Sequence, residues 1–231
     1  MIDFVDYVIT HKDCEFKEDD SYRILCVGGY RQDNLLSEQD GINISEYNKR
    51  INECTGLYWI WKNTHSEYVG MSHYRRWFYN CRWVHDKSRL DADRVEELLK
   101  DHDIILTGTS WFGWRVIDNM NIALGKEITE EANRVFIDLI RERQPDYLDA
   151  YCDVMEGNHM HICNLFVTRR EIFDAYCKWL FSFLLDAADR IDVSECSTRQ
   201  QRIAGYFAEV MPTVWLREQK YMICEQPHRM V

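Results

Sequence analysis

The chain has 231 residues, 46% of them hydrophobic, and a formal net charge of −11. That is ordinary globular usage, enough for one sizeable core, and it predicts one domain over residues 1–231. The acidic balance excludes the domain-wide basic surface of a nucleic-acid binder; nine cysteines without a CxxC pair exclude a disulfide framework or zinc ribbon. No run of about 18 apolar residues and no basic-then-apolar leader occurs, so the expected location is the cytoplasm.

In chain order, "DYVIT" at 6–10 and "RILCV" at 23–27 have the composition of short strands, the second closed by Gly28-Gly29. After the polar loop "RQDNLLSEQDGINIS", Ser45 is placed to cap one helix through "EYNKRINECTGLYWIWKN", with Ile51, Cys54, Leu57 and Trp61 on one face. "EYVGM" reads as a strand, "DADRVEELLK" as an amphipathic helix through Val95, Leu98 and Leu99, and "DIILTG" as a strand. "SWFGWRVIDNMNIALGKEI" has no clear period and predicts an irregular loop. "ITEEANRVFIDLIRERQ" is helical with Val135, Phe136, Leu139 and Ile140 inward and ends near Pro145. "HMHICNLFV" alternates as one strand, and "REIFDAYCKWLFSFLLDAADR" reads as one long helix bearing Ile172, Phe173, Tyr176, Leu180 and Leu184. The last helix, "TRQQRIAGYFAEV", ends or kinks at Pro212. Helices alternating with strands on this scale predict an α/β fold with a mostly parallel sheet flanked by helices.

Ligands of such sheets bind beyond the carboxyl ends of the strands. Two stretches fall there, "THK" after the first strand and "SHYRR" after "EYVGM", and they would bring Thr10, His11, Lys12, His73, Arg75 and Arg76 into one cationic rim. Arg82 and His85 extend the same cluster. Against an acidic background this favours a compact anionic ligand such as the diphosphate of a nucleotide sugar, with aromatics to stack on a base or sugar. The alternatives are a structural ion-pair network and a solvated strand end whose aromatics fill the core. Asp40, Asn43, Ser45 and Asn48, around a helix start, offer hydrogen bonds to the nucleotide side, although capping alone accounts for Ser45. His159 and His161 share a strand face, yet two histidines without a third ligand in register make a weak metal site. His161 and Asn164 are assigned instead to an acceptor-side wall.

Four blocks, "DGINISEYNKRINECTGLYWIWKN", "YVGMSHYRRWF", "HMHICNLFV" and "QRIAGYFAEVMPTVWL", resemble the successive blocks of the family called domain of unknown function 4422. The resemblance runs from "VITHK" to "VWL". It implies a single-domain GT-A-like glycosyltransferase of capsule, exopolysaccharide or lipopolysaccharide biosynthesis, with members linked to galactofuranose transfer. The implied donor is a UDP-sugar and the implied acceptor a glycan or lipid-linked glycan, which would require transient contact with the inner face of the membrane. Similar sequences read "ELTALYWIWKN" where this one has Gly56, a change that costs about 1 kcal/mol of helix propensity without reaching ligand contacts; Pro212 is a second departure, on the acceptor side. Many transferases of this fold hold a divalent metal with a DxD at a strand end. Here Asp91-Ala92-Asp93 and Asp101-His102-Asp103 flank a helix instead. Arg75, Arg76 and His73 are therefore expected to replace the metal, no cofactor is expected to be required, and a divalent metal is the less favoured alternative. Glu209 is the expected general base, ahead of Asp118. Glu53, Tyr58 and Trp59 are assigned to buttressing. The rival classes are a carbohydrate-binding protein without turnover and a nucleotide-sugar phosphohydrolase.

Overall fold

A computed structural model describes residues 2–80 and 88–229, so Arg82 and His85 lie outside the described residues. The strands are β1 (Phe4–Thr10), β2 (Tyr22–Cys26), β3 (Leu36–Ser37), β4 (Tyr68–His73), β5 (Ile104–Thr107), β6 (Ser110–Trp111), β7 (His159–Met160), β8 (Phe166–Arg169) and β9 (Ile223–Gln226). Seven form one sheet in the order β3-β2-β1-β4-β8-β5-β9. Only β8 runs antiparallel to its neighbours; every other pairing in that sheet is parallel. The remaining pair, β6 and β7, makes a small antiparallel ladder.

The sheet is covered on both faces, which is why its central strands are almost continuously apolar. Strand alternation sends Tyr7, Ile9, Ile104, Leu106 and Phe166 to a large core and Phe4, Ile105 and Val167 to a smaller one. The smaller core is closed by α3 (Ala92–Asp101), which begins where the Asp91 carboxylate accepts the Arg94 backbone N–H at 2.9 Å and buries Val95 and Leu99. The larger core is closed by α1 (Asn48–Ile51), α2 (Cys54–Asn63), α4 (Val116–Leu124), α5 (Lys126–Arg143), α6 (Leu148–Glu156), α7 (Arg170–Leu180), α8 (Leu184–Arg190), α9 (Ile203–Ala208) and α10 (Met211–Glu218). No described helix is long and apolar enough to cross a membrane. Five of the eight described cysteines are buried.

Several expectations need correction. The helix after Ser45 is two helices, interrupted at Asn52 (φ 53°, ψ −130°), and Ser45 does not cap it: the Ser45 hydroxyl donates to Asn43 Oδ1 at 2.9 Å inside a short 3-10 turn. The tryptophan-rich segment expected to be irregular contains β6 and α4, and α6, not anticipated, follows α5. "HMHICNLFV" is two strands separated by a turn in which Cys163 (φ 76°) and Asn164 (φ 48°) are left-handed. The long helix from Arg170 breaks between Leu180 and Leu184, and the last helix stops at Ala208. Pro212 does not end a helix; it sits in the first turn of α10, where its missing N–H has no helical partner to lose.

Candidate functional site

The carboxyl ends of β1, β2 and β4 open into a cleft of about 690 Å³, the size of a small-ligand site. Ile9 and His11 bring the end of β1 to it, Val27 and Gly28 the end of β2, and His73 to Arg76 the end of β4. Asn48, Lys49, Asn52 and Glu53 form one further wall, and Thr198, Gln201, Arg202, Tyr206 and Glu209 the opposite one.

"HYRR" is a tight turn. His73 N donates to Arg76 O (2.8 Å), Arg76 N returns the bond to His73 O (2.9 Å), and Tyr74 N donates to Ile9 O, so the turn is pinned to β1. Arg75 is thereby held out at the tip, its guanidinium 5.1 Å from the Tyr74 ring centre, while Arg76 folds back with its Nε buried and unpartnered. Neither arginine makes an ion pair among the described residues. Lys49 and Arg202 add two more cations to the walls, and Arg202 Nε donates to Asn52 Oδ1. A chain of net charge −11 thus leaves uncommitted guanidinium groups facing one cleft.

The histidines are not part of that charge, which corrects the expected cationic rim. His73 Nε2 donates to the Cys163 carbonyl at 2.8 Å, which leaves Nδ1 without the proton in the neutral ring. Burial pushes its pKa down, and although Glu53 and the Cys163 bond oppose this, Arg76 and Arg75 add to it. His11 is lowered as well, first by desolvation and then by Lys12, Arg202 and Arg75.

Behind the wall lies a buried polar network. Glu38 accepts the Gly28 backbone N–H at 2.6 Å and the Thr55 hydroxyl, and Asn48 Nδ2 donates to Thr55 Oγ1 at 2.8 Å and to Asn52 O. Gly28 is left-handed (φ 69°), and a Cβ there would stand 3.0 Å from Asn48 Oδ1, so the close approach of loop and helix requires glycine. Gly56 also matters here, contrary to expectation: a Cβ on it would come within 2.6 Å of Ile9 Cδ1 and 3.2 Å of Val27 Cγ1, pressing on two cleft-lining residues from behind.

The cleft also holds two carboxyl groups. Glu209, just past the end of α9, is pushed up to about 8, first by burial and then by Glu53, against the pull of Arg76 and Arg202. Glu53 Oε1 accepts from Asn164 Nδ2 at 2.8 Å. Glu53 thus lines the cleft while it also ties the Asn164 turn to the start of α2.

Of the residues singled out from sequence, the structure brings His11, Asn48, His73, Arg75, Arg76 and Glu209 together. Thr10 is buried, turning the chain through its hydroxyl bond to Lys12 O (2.6 Å), and Lys12 stands 5.6 Å from the Tyr74 ring centre outside the lining. Asp40 pairs with Arg31 at 3.0 Å, and Asn43 closes its own loop through Gly41 O and Ser45; these three side chains, Asp40, Asn43 and Ser45, do not line the cleft. His161 is tied to Thr107 O (2.8 Å) away from it, and Asn164 is buried, reaching the site only through Glu53. His159 stacks on Trp111 at 4.6 Å, and Asp118 is bound by Arg115 at 2.7 Å. Lys49, Asn52, Gln201 and Arg202 were missed. The polar run "TRQQR" ahead of the apolar face was the available signal for the last two.

The side chains at the tip of the β4 turn are guanidinium groups, which are not metal ligands. Asp91 caps α3, Asp103 binds Arg169 and the Met222 N–H, and among the described residues no group of three or more His, Cys, Asp or Glu side chains is arranged to hold a metal ion.

The fold is GT-A-like, a mixed seven-stranded sheet flanked by helices. A solved structure titled as the apo form of a WbbM bifunctional glycosyltransferase superposes on it with a TM-score of 0.86 at 22% identity, covering 99% of this chain. The match takes in 45% of that longer chain, so this chain spans about half its length. No curated protein matches the sequence significantly. A family model described as a domain of unknown function, DUF4422, matches residues 6–220, and the chain belongs to that family.

Proposed function

We propose that the protein is a hexosyltransferase that moves a sugar from a UDP-sugar to a glycan or lipid-linked glycan acceptor of a surface polysaccharide, with galactofuranose the first donor sugar to try. The observation that carries this reading is the pair of unpaired arginines on a pinned turn at the carboxyl edge of a parallel sheet. Arg75 and Arg76 hold the diphosphate and balance the charge that builds on it as it leaves, which a metal would otherwise do. Gly28, Asn48 and His11 line the nucleotide side; the neutral histidines serve as hydrogen-bonding groups. In an inverting transfer the acceptor oxygen bonds to the anomeric carbon, the bond from that carbon to the diphosphate oxygen breaks, and its electron pair leaves with UDP. The hydroxyl proton passes to Glu209.

A carboxyl group held near 8 is ionised in about a tenth of molecules at pH 7, and is a stronger base once ionised than an ordinary glutamate. Turnover should therefore climb with pH up to about 8, and Glu209→Gln should lower kcat by about a hundredfold or more. A Glu209→Gln enzyme with ordinary kcat removes this role.

Calorimetric titration with UDP in EDTA, and again with manganese, tests the site. The expected result is binding that survives EDTA and weakens at least about tenfold in Arg75→Ala and in Arg76→Ala, the loss of one charge-assisted contact. Binding only with manganese would overturn the metal-free assignment. Release of intact UDP on turnover separates transfer from phosphohydrolase chemistry, and a protein that binds glycans without turnover is the outcome if no donor is consumed.

A further inference from the structure

The side-chain amide of Asn48 has one orientation open to it. Its Nδ2 lies 3.0 Å from Asn52 O and 2.8 Å from Thr55 Oγ1. A backbone carbonyl can only accept, so the amide atom beside Asn52 O must be the one that carries hydrogen. Thr55 agrees: its hydroxyl donates to Glu38 Oε2, which leaves a lone pair for the second amide hydrogen of Asn48. Glu38 is itself fixed by the Gly28 N–H on Oε1 at 2.6 Å, and Glu38, Thr55 and Asn52 are all buried, so water offers the amide no other partner there. Both hydrogens of the amide are thereby committed behind the cleft wall. Its oxygen is left over. Oδ1 has no hydrogen-bond partner among the described residues, and it lies beside Gly28, where a Cβ would stand 3.0 Å from it. Gly28 and Asn48 both line the cleft at the carboxyl end of β2.

We infer that Asn48 is a specificity-determining residue whose Oδ1 accepts the N3–H of a uracil base, with Asn52, Thr55 and Glu38 as positioning residues that keep the amide from turning over. The inference rests on the reading of UDP as the nucleotide. Its commitment to the base follows from hydrogen-bond polarity. A ribose hydroxyl both donates and accepts, so it could bind either end of the amide and would gain nothing from a fixed one. An imide N–H only donates, and needs the oxygen. Cytosine has a lone pair at the same ring position; facing Oδ1 it would oppose two acceptors with no hydrogen between them, and both would lose their water.

The test is a pair of calorimetric titrations, with UDP and with CDP, on the wild type and Asn48→Ala. The two nucleotides share ribose and diphosphate, so contacts to the arginines cancel in the ratio of their affinities. The wild type should bind UDP at least about tenfold more tightly than CDP, and in Asn48→Ala the two should come within about threefold of each other. A wall merely loosened by the substitution would weaken both nucleotides alike and leave the ratio as it was; that result overturns the inference. Equal affinities in the wild type overturn it too, since a contact to ribose predicts them. If Asn48→Ala does not fold, magnetic resonance of the wild type with nitrogen-15-labelled UDP decides. The N3 proton of the bound nucleotide should be shielded from exchange with water and show a nuclear Overhauser contact to the Asn48 side-chain amide, and absence of that contact removes the assignment. A protein that binds neither nucleotide overturns the donor reading and this inference with it, whereas equal binding of both overturns this inference alone.

Discussion

Asp6 shows what a single buried carboxyl costs. It lies in the middle of β1, opposite Gly70 of β4, accepts the Ser72 hydroxyl at 2.8 Å through Oδ2, and leaves Oδ1 buried without a partner. Burial pushes it up to about 7, more than the Ser72 bond and the distant Arg89 charge can bring down. Between about pH 4 and pH 7 the folded protein therefore binds a proton that the unfolded chain has lost, so stability falls as pH rises through this window, by on the order of 4 kcal/mol in all. Urea unfolding of the wild type and Asp6→Asn at several pH values checks this: the wild type should lose stability over that range more steeply than the variant. Parallel pH profiles would mean that Asp6 is ionised in the fold. Neither the burial of this aspartate nor the strain at Asn52 was legible in the sequence, because a lone aspartate ahead of the apolar run "YVI" reads as a solvated strand start and a left-handed asparagine leaves no periodic trace. The arginines of "SHYRR" were legible, because two fixed cations beside a strand end in an acidic chain contradict the surrounding composition.

At the scale of elements, legibility followed periodicity and failed wherever a break left the period intact. Ile172, Phe173, Tyr176, Leu180 and Leu184 are all buried as read, yet the backbone interrupts α7 and α8 between the last two. The reverse failure is α4, a real helix hidden in sequence because Ile122, 74% exposed, puts an apolar residue on its outer side. The packing of α9 against α1 makes a sharper case. Gly205 is in a helix interior, where alanine ordinarily gains about 1 kcal/mol. Here a Cβ would stand 2.5 Å from Asn52 Nδ2 and 3.1 Å from the Ile51 backbone carbon. The second neighbour cannot move without shifting α1, so Gly205→Ala should destabilise by about 2 kcal/mol, read as a lower urea midpoint at unchanged slope. Since Asn52 holds Arg202, the same variant should weaken UDP binding. A stabilised Gly205→Ala protein would show that helix propensity outweighs the contact, and that α1 and α9 are not locked together.

The whole sheet divides by task. Its parallel half, β3-β2-β1-β4, carries the cleft at its carboxyl edge, whereas no residue of β8, β5 or β9 lines it. Among the described residues the second half sends hydrogen bonds to the site from the turn of Cys163 and Asn164. Ligand binding then has two separable consequences for amide exchange. Core amides that exchange only by global unfolding must slow with the added stability, about a hundredfold at a UDP concentration of 100 times Kd, wherever they lie. Amides that open locally report contact alone. Those of His11, Gly28, Asn48 to Glu53 and Tyr74 to Arg76 should slow with UDP, while those of the edge strand β9, where Ile223 and Glu225 are exposed, should keep their free rates. Equal slowing at β9 would mean that the two halves open as one unit and that the turn at Cys163 and Asn164 transmits binding across the sheet. Slowing confined to the cleft would locate the ligand at the arginine turn even in a protein for which no donor sugar has yet been found.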